Sequence, residues 1–382
     1  MRRLIWTAYL VMAAEGFLVY AVGFITPYVQ ASLHVAPWLA QMPNSLMAVG
    51  MLLGGTLARG INARYGADRT IRYWVLGFAL SGVLLAAPVH VLVTIAGGFV
   101  FGASLGGWLV HVNSALGRGA SGALLLMRAN LWSVVGGLVG PLVLSAAASS
   151  VGWWYGVLTP VPFLLVLAFG TPGSPARDAA AETGQAEPSL SRAYWLAWLF
   201  LALCISAEFS YVVWGAQVVA SRTGIPTEAA TGLASLFVLG MVVGRLLASI
   251  ARAGAARQLL VLRAGAAVTA VGAVLTWAAP QPWLAGLGLF LGGLGMSPIY
   301  PIGVSLALAH APHAPIHASA RLTLASGAAI LSAPLVLGLV AGVAGIVAAW
   351  LIVVAILVGA CALALGLRQP ESAPNVAEVL AA

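Results

Sequence analysis

Gly50-Met51-Leu52-Leu53-Gly54 returns 190 residues later as Gly240-Met241-Val242-Val243-Gly244. The same offset carries Gly98 and Gly102 onto Gly288 and Gly292. An offset of 193 carries Pro141-Leu142-Val143-Leu144 onto Pro334-Leu335-Val336-Leu337. Short apolar matches arise by chance, but three that keep their order at a nearly constant spacing mark an internal repeat. The repeat is written in a very apolar chain. Hydrophobic residues make up 62% of the 382 positions and charged residues 7%, whereas soluble domains carry roughly 25% charge. The two related halves therefore belong in a bilayer.

Outward from the repeat, charge marks the helices. Asp, Glu and Arg are missing from Gly16–Ala58, Tyr73–Gly117, Ala129–Ala176, Ala264–Ala320 and Leu322–Leu367, stretches of 43 to 57 residues. A spanning helix takes about 20 apolar residues, so each stretch holds two spans and a tight turn. The turns are visible at Pro88-Val89-His90, Ala148-Ser149-Ser150 and Pro280-Gln281-Pro282. With Ala193–Arg245 added, twelve helices are predicted, starting near residues 4, 37, 71, 91, 120, 151, 193, 227, 258, 283, 318 and 344. The runs are continuous rather than alternating, which excludes a barrel. The expected fold class is an all-α integral membrane protein of two pseudo-symmetric six-helix bundles, 1–170 and 193–368. A Pro-, Ala-, Gly- and Glu-rich linker, 171–192, joins them, and 369–382 forms a tail.

All 17 basic residues are arginine. Without lysine there is no Walker A ATPase and no Schiff-base attachment of retinal or pyridoxal phosphate. The net charge of +8 does not indicate nucleic acid, because no basic stripe interleaves with aromatics. The arginines follow topology instead. With the N-terminus inside, Arg2, Arg3, Arg59, Arg64, Arg69, Arg72, Arg118, Arg177, Arg192, Arg252, Arg257, Arg263 and Arg368 fall on the cytoplasmic side, and Arg222 alone outside. Both termini are then cytoplasmic. The apolar run Leu4–Gln30 is too long for a signal-peptide core and reads as a retained first span. Cys204 and Cys361 lie in apolar stretches and say nothing of redox compartment. Arginine in place of every lysine fits a GC-rich bacterial gene, hence an inner membrane.

Two parallel six-helix repeats around a central pathway form a transporter architecture. The chain resembles the major facilitator superfamily over essentially its whole length. The loop after span 2 resembles that family's signature: Gly55, Arg59 in place of the usual acid, then Arg64, Gly66, Asp68 and Arg69. A second copy follows span 8 as Gly244-Arg245, Arg252, Gly254 and Arg257. The resemblance implies gating of the cytoplasmic side by Gly55, Arg64, Asp68 and Arg69, and a working monomer. Gly140-Pro141 is similar to the start of the family's antiporter motif, but Leu142, Val143, Leu144 and Ser145 replace the glycines that should follow.

Nine acids exist, and two fall in mid-span: Glu15 in span 1 and Glu208 in span 7, 193 apart. An ionised carboxylate at that depth costs roughly 2.5 kcal/mol or more, so it is paired, protonated or water-facing. Arg128 and Arg321 are also 193 apart, and each follows its glutamate by 113 residues. Each half thus offers a Glu–Arg couple. The couples bind substrate and exchange protons, or the arginines snorkel to the cytoplasmic face, or the pairs are static. Further substrate-contact candidates are Asn44, Asn113, Asn130, Trp132, Tyr211, Gln217 and Tyr300, the last flanked by Pro298 and Pro301, which are expected to break span 10. His310, His313 and His317 invite a metal reading, but Pro312 and Pro315 interrupt the face and no Cys or acid completes it. No metal or cofactor is expected.

The sequence carries no His-Glu-x-x-His or Gly-x-Ser-x-Gly constellation for an intramembrane enzyme and no repeated pore motif for a channel. A transporter of a small organic solute, coupled to protons through Glu15 and Glu208, is the expectation. Carboxylates with amides and aromatics suit uptake of a sugar or polyol. The Ala-, Val-, Leu- and Trp-rich interior also suits export of an amphipathic compound, the arginines suit an anion, and an uncoupled facilitator on the same fold stays open.

Overall fold

The computed structural model describes residues 2–116, 122–170, 190–250, 255–311 and 315–369. At 2–4, 59, 67–68, 113–116, 122–124, 126–127, 248–250, 255–257, 315–317, 319–320 and 323 it describes the backbone alone. Among these residues the chain is helical, without strands. The helices group into twelve crossings, numbered here as spans. Span 1 is Arg2–Phe24, extended by Thr26–Leu33, and span 2 is Met42–Tyr65, preceded by the short turn Pro37–Ala40. Spans 3 to 6 are Ala67–Ala86, Val91–Leu116, Gly122–Ser150, and Trp153–Leu158 with Val161–Gly170. Spans 7 to 9 are Arg192–Thr223, Thr227–Ile250 and Ala255–Ala278. Span 10 is Pro282–Met296 with Ile299–Ala309, span 11 Pro315–Ala344, and span 12 Ile346–Ala349 with Leu351–Gly366. Among the described residues, ten of the crossings are long and apolar enough for a membrane.

The repeated Gly-x-x-x-Gly stretch is a packing device. A Cβ on Gly50 or Gly54 would collide with the carbonyl oxygens of Phe99 and Ala103 on span 4. A Cβ on Gly240 or Gly244 would collide with those of Phe290 and Leu294 on span 10. Spans 2 and 4, and spans 8 and 10, therefore touch backbone to backbone, as small residues allow in lipid. In return, Gly102 meets the Met47 carbonyl and Gly293 meets that of Phe237. The structural counterpart of Gly102 is thus Gly293, one residue beyond the Gly292 that sequence spacing selects. Gly292 instead makes room for the Tyr211 ring. Between spans 2 and 3 the turn is a single residue, Gly66, whose φ of 79° favours glycine.

Because successive spans alternate in direction, both termini lie at one end of the bundle, called here the terminal end; the other is the distal end. Hydrogen bonds tie the halves together toward the distal end. Tyr28 Oη donates to Thr231 Oγ1 (2.8 Å) and Gln217 Nε2 to Gln30 Oε1 (2.9 Å). Ser145 Oγ donates to the Glu228 carbonyl (2.7 Å), and Ser45 Oγ to that of Leu331 (2.8 Å). Gly338 packs against the backbone of Trp38. Pro141 and Pro334 sit inside the long spans 5 and 11, and the Trp214 indole donates to the Pro334 carbonyl (3.0 Å). Span 10 is interrupted at Ser297-Pro298, next to Tyr300.

Candidate functional site at the interface of the halves

Helical register places the ionisable residues. On span 1, Gly23 packs against Val212 of span 7, so the Val212 face of span 7 looks at the other half. Glu208 is four residues earlier and shares that face, one turn nearer the terminal end. Tyr20, three residues before Gly23, donates its hydroxyl to the Met241 sulfur on span 8 (3.3 Å), and its ring lies over Gly137 of span 5. Arg245 is four residues after Met241 and shares its face, one turn nearer the terminal end. Gly244, against Leu294 and Ser297, fixes this rotation, because it leaves no room for span 8 to turn. Glu208, Arg245 and Glu15 thus lie within electrostatic range of Tyr20, and Arg245 lies within that range of Glu208.

Access differs among the four. Glu208 is half-buried. Arg245 is exposed and forms no hydrogen bond with another described residue. Glu15 is sealed at 4% exposure. The Ser133 hydroxyl of span 5 reaches its carboxyl, while Oε2 is buried without a hydrogen-bond partner. The hydrogen bonds that tie the halves lie on the distal side of Glu208 and Arg245.

The couples read from the repeat do not form. Ser133, not Arg128, faces Glu15. Arg128 lies five residues nearer the terminal end, about 7.5 Å along the axis, exposed and without an ion pair to Glu15. In the second half, the Trp198 indole donates to the Arg321 carbonyl (2.8 Å), and Arg321 acts on Tyr194. Trp198 precedes Glu208 by ten residues, which is about 15 Å of helix. The cation beside Glu208 is Arg245. Sequence reading took it for part of a loop motif, whereas span 8 continues to Ile250.

The other candidates divide. Tyr211 is 1% exposed, stacked on Phe237 and edge-on to Trp350 inside the second half, its hydroxyl on the Thr269 carbonyl; it does not face the interface. Gln217 is half of the distal tie to Gln30. Asn44 is buried, its Nδ2 on the Ile330 carbonyl (3.5 Å). Trp132 packs edge-on to Trp6 (6.4 Å between rings). Asn130 is exposed and engaged. Tyr300 is 48% exposed beside the break in span 10. Of the gate residues, Gly55 is half-buried, Arg69 is exposed, and exposed Arg64 lies 5.5 Å from the Tyr65 ring centre. The side chains of Asp68 and Asn113 lie outside the described residues, as do those of His313 and His317. The His310 ring is within hydrogen-bond distance of the Arg368 carbonyl (2.9 Å).

A groove of about 610 Å³ opens at the distal end, lined by Gln30, His34, Gln217, Ser221 and Thr227 among others. Gln217 is nine residues beyond Glu208, about 13.5 Å of helix, so this groove is separate from the ionisable centre.

No protein-family model matches the chain, and no curated protein sequence matches it. Solved structures do. A bacterial homologue of the human lysosomal transporter Spinster, in an inward-facing and occupied conformation, superposes with a TM-score of 0.72 at 13% identity, over 96% of this chain and 98% of that one. The nucleoside transporter NupG gives 0.73 at 14% identity, over 96% and 98%. The human organic anion transporter MFSD10 gives 0.62 at 14% identity, over 95% and 99%. At these identities the likeness is one of fold: the chain has the fold of major facilitator transporters.

Proposed function

We propose, from the major facilitator fold, that this chain is a secondary transporter that moves a small organic solute across a membrane by alternating access, with proton coupling through Glu208 and Glu15. One observation carries the reading. The halves are tied on the distal side of the Tyr20–Met241 contact, and a carboxylate and a guanidinium face the interface directly on its terminal side. Intramembrane ionisable groups at a repeat interface mark the pathway of substrate or coupling ion. The arginine distribution supports a cytoplasmic terminal end, and with it an inward-open reading of this conformation; a working monomer in a bacterial inner membrane is part of the same proposal.

Gln217 and Asn44 each use the amide nitrogen to bridge the halves, while their amide oxygens are buried without a hydrogen-bond partner, and a sugar or polyol stays among the solutes to try. Export and uptake use the same geometry; the sign of the coupled flux decides between them. Reconstituted protein in liposomes loaded with a pH dye is expected to move protons when one class among sugars, organic acids and amphipathic cations is added. Solute flux without proton movement would reduce the protein to a facilitator, and absence of any solute flux would overturn the reading.

A further inference from the structure

We propose that Arg245 is the anion-binding residue at the interface of the halves, that the solute carries a carboxylate, and that Glu208 competes with that carboxylate for the guanidinium. This rests on the transporter reading above and names its substrate class.

The described arginines differ in what holds them. Arg263 is spent on the carbonyls of Ala364, Leu365 and Leu367. Arg222 bonds the Ala278 carbonyl at the distal end. Arg64 lies by the Tyr65 ring, and Arg321 lies at the level of Trp198. Arg245 shares a helix face with Met241, which touches the opposite half through Tyr20. It is exposed there and makes no hydrogen bond to another described residue. A guanidinium offers a planar fork of donors that matches a carboxylate in bidentate fashion. Here the fork sits on the Met241 face of span 8, within electrostatic range of Glu208, and makes no hydrogen bond to another described residue.

The charge count supplies the coupling. The groups within electrostatic range of Glu208 are Tyr20 from span 1, Arg245 from span 8, and Cys204 on its own helix; Glu15 reaches Tyr20 but is not paired with Glu208. With Glu208 ionised, Arg245 and Glu208 balance and an incoming anion leaves a net negative charge at the interface. With Glu208 protonated, Arg245 and the substrate carboxylate balance instead. Proton and anion therefore favour each other's binding, and by linkage each raises the other's affinity by the same factor. Glu15, sealed beside Ser133, sits outside this exchange in the present conformation.

The test is calorimetry on the purified full chain with benzoate, lactate and pyruvate, each beside its neutral amide, in acidic and alkaline buffers. The carboxylates are expected to bind with proton uptake and the amides not. Arg245→Gln should weaken carboxylate binding by about tenfold or more, the loss of a charge-assisted contact, and Arg245→Lys should recover part of it. Glu208→Gln should bind carboxylates in alkaline buffer as wild type does in acid. Melting temperature and size-exclusion profile show that each variant is folded. Unchanged binding by Arg245→Gln, equal binding of the amides, or no binding of any carboxylate at millimolar concentration overturns the proposal. The two readings fail separately. Neutral solutes that drive proton flux through Arg245→Gln sink the anion site alone; carboxylate binding without flux under any gradient sinks transport alone.

Discussion

Glu208→Gln is expected to lower solute-driven proton flux in liposomes by at least about tenfold while solute exchange between equal pools persists. Gln fills the same volume and copies the neutral, protonated carboxyl. It removes the ability to lose a proton without opening a cavity at the interface. Glu208 lies within electrostatic range of Arg245, one turn from the Val212–Gly23 contact, so a frozen neutral group is expected still to permit the halves to move with solute bound. What it prevents is the unloaded return that depends on charge. Exchange therefore survives and uphill accumulation fails. Loss of both together, in a folded variant, would make Glu208 a structural group; retention of both would remove it from coupling.

The second large effect concerns the distal ties. In a background with Cys204 and Cys361 replaced by Ala, cysteines at Gln30 and Gln217, bridged by a short bifunctional thiol reagent, are expected to stop transport. The native side chains meet at 2.9 Å across the interface, so the bridge holds the distal end as it stands. Rigid-body motion of one half against the other requires that contact to open in each cycle. Transport should fall by roughly an order of magnitude or more and return on cleaving the reagent. Undiminished transport with complete bridging would contradict alternating access by these halves.

Much of the fold is legible because membrane spans are set by length and charge. The predicted starts at 91 and 227 coincide with Val91 and Thr227, and the others lie within five residues of a helix start. The repeat was legible for a packing reason. The glycines of 50–54 and 240–244 meet the backbone of a neighbouring span in both halves, so nothing larger fits. The site was less legible. A constant offset says which residues correspond between the halves, not which way each helix is turned, and one residue of rotation moves a side chain by about 100°. Arg128 and Arg321 kept perfect spacing from Glu15 and Glu208 yet lie at other levels or on other faces. Tyr211, one turn from Glu208, points into the core of its own half. Arg245 escaped notice because it ended an apolar stretch and was counted with the loop. A helix starting at Thr227 with about 20 spanning residues contains it, and that length argument was the available signal.

Alternating access requires the two halves to rock against each other, so that one end opens as the other closes. Spin labels at Val89 and Val343, exposed at the distal end, and at Arg69 and Leu260, exposed at the terminal end, report both gates by pairwise distance in nanodiscs. On adding a transported solute under acidic and then alkaline conditions, the account predicts reciprocal shifts: the distal pair gains a longer-distance population as the terminal pair gains a shorter one. Distances that stay fixed at both ends, with solute bound, would contradict it.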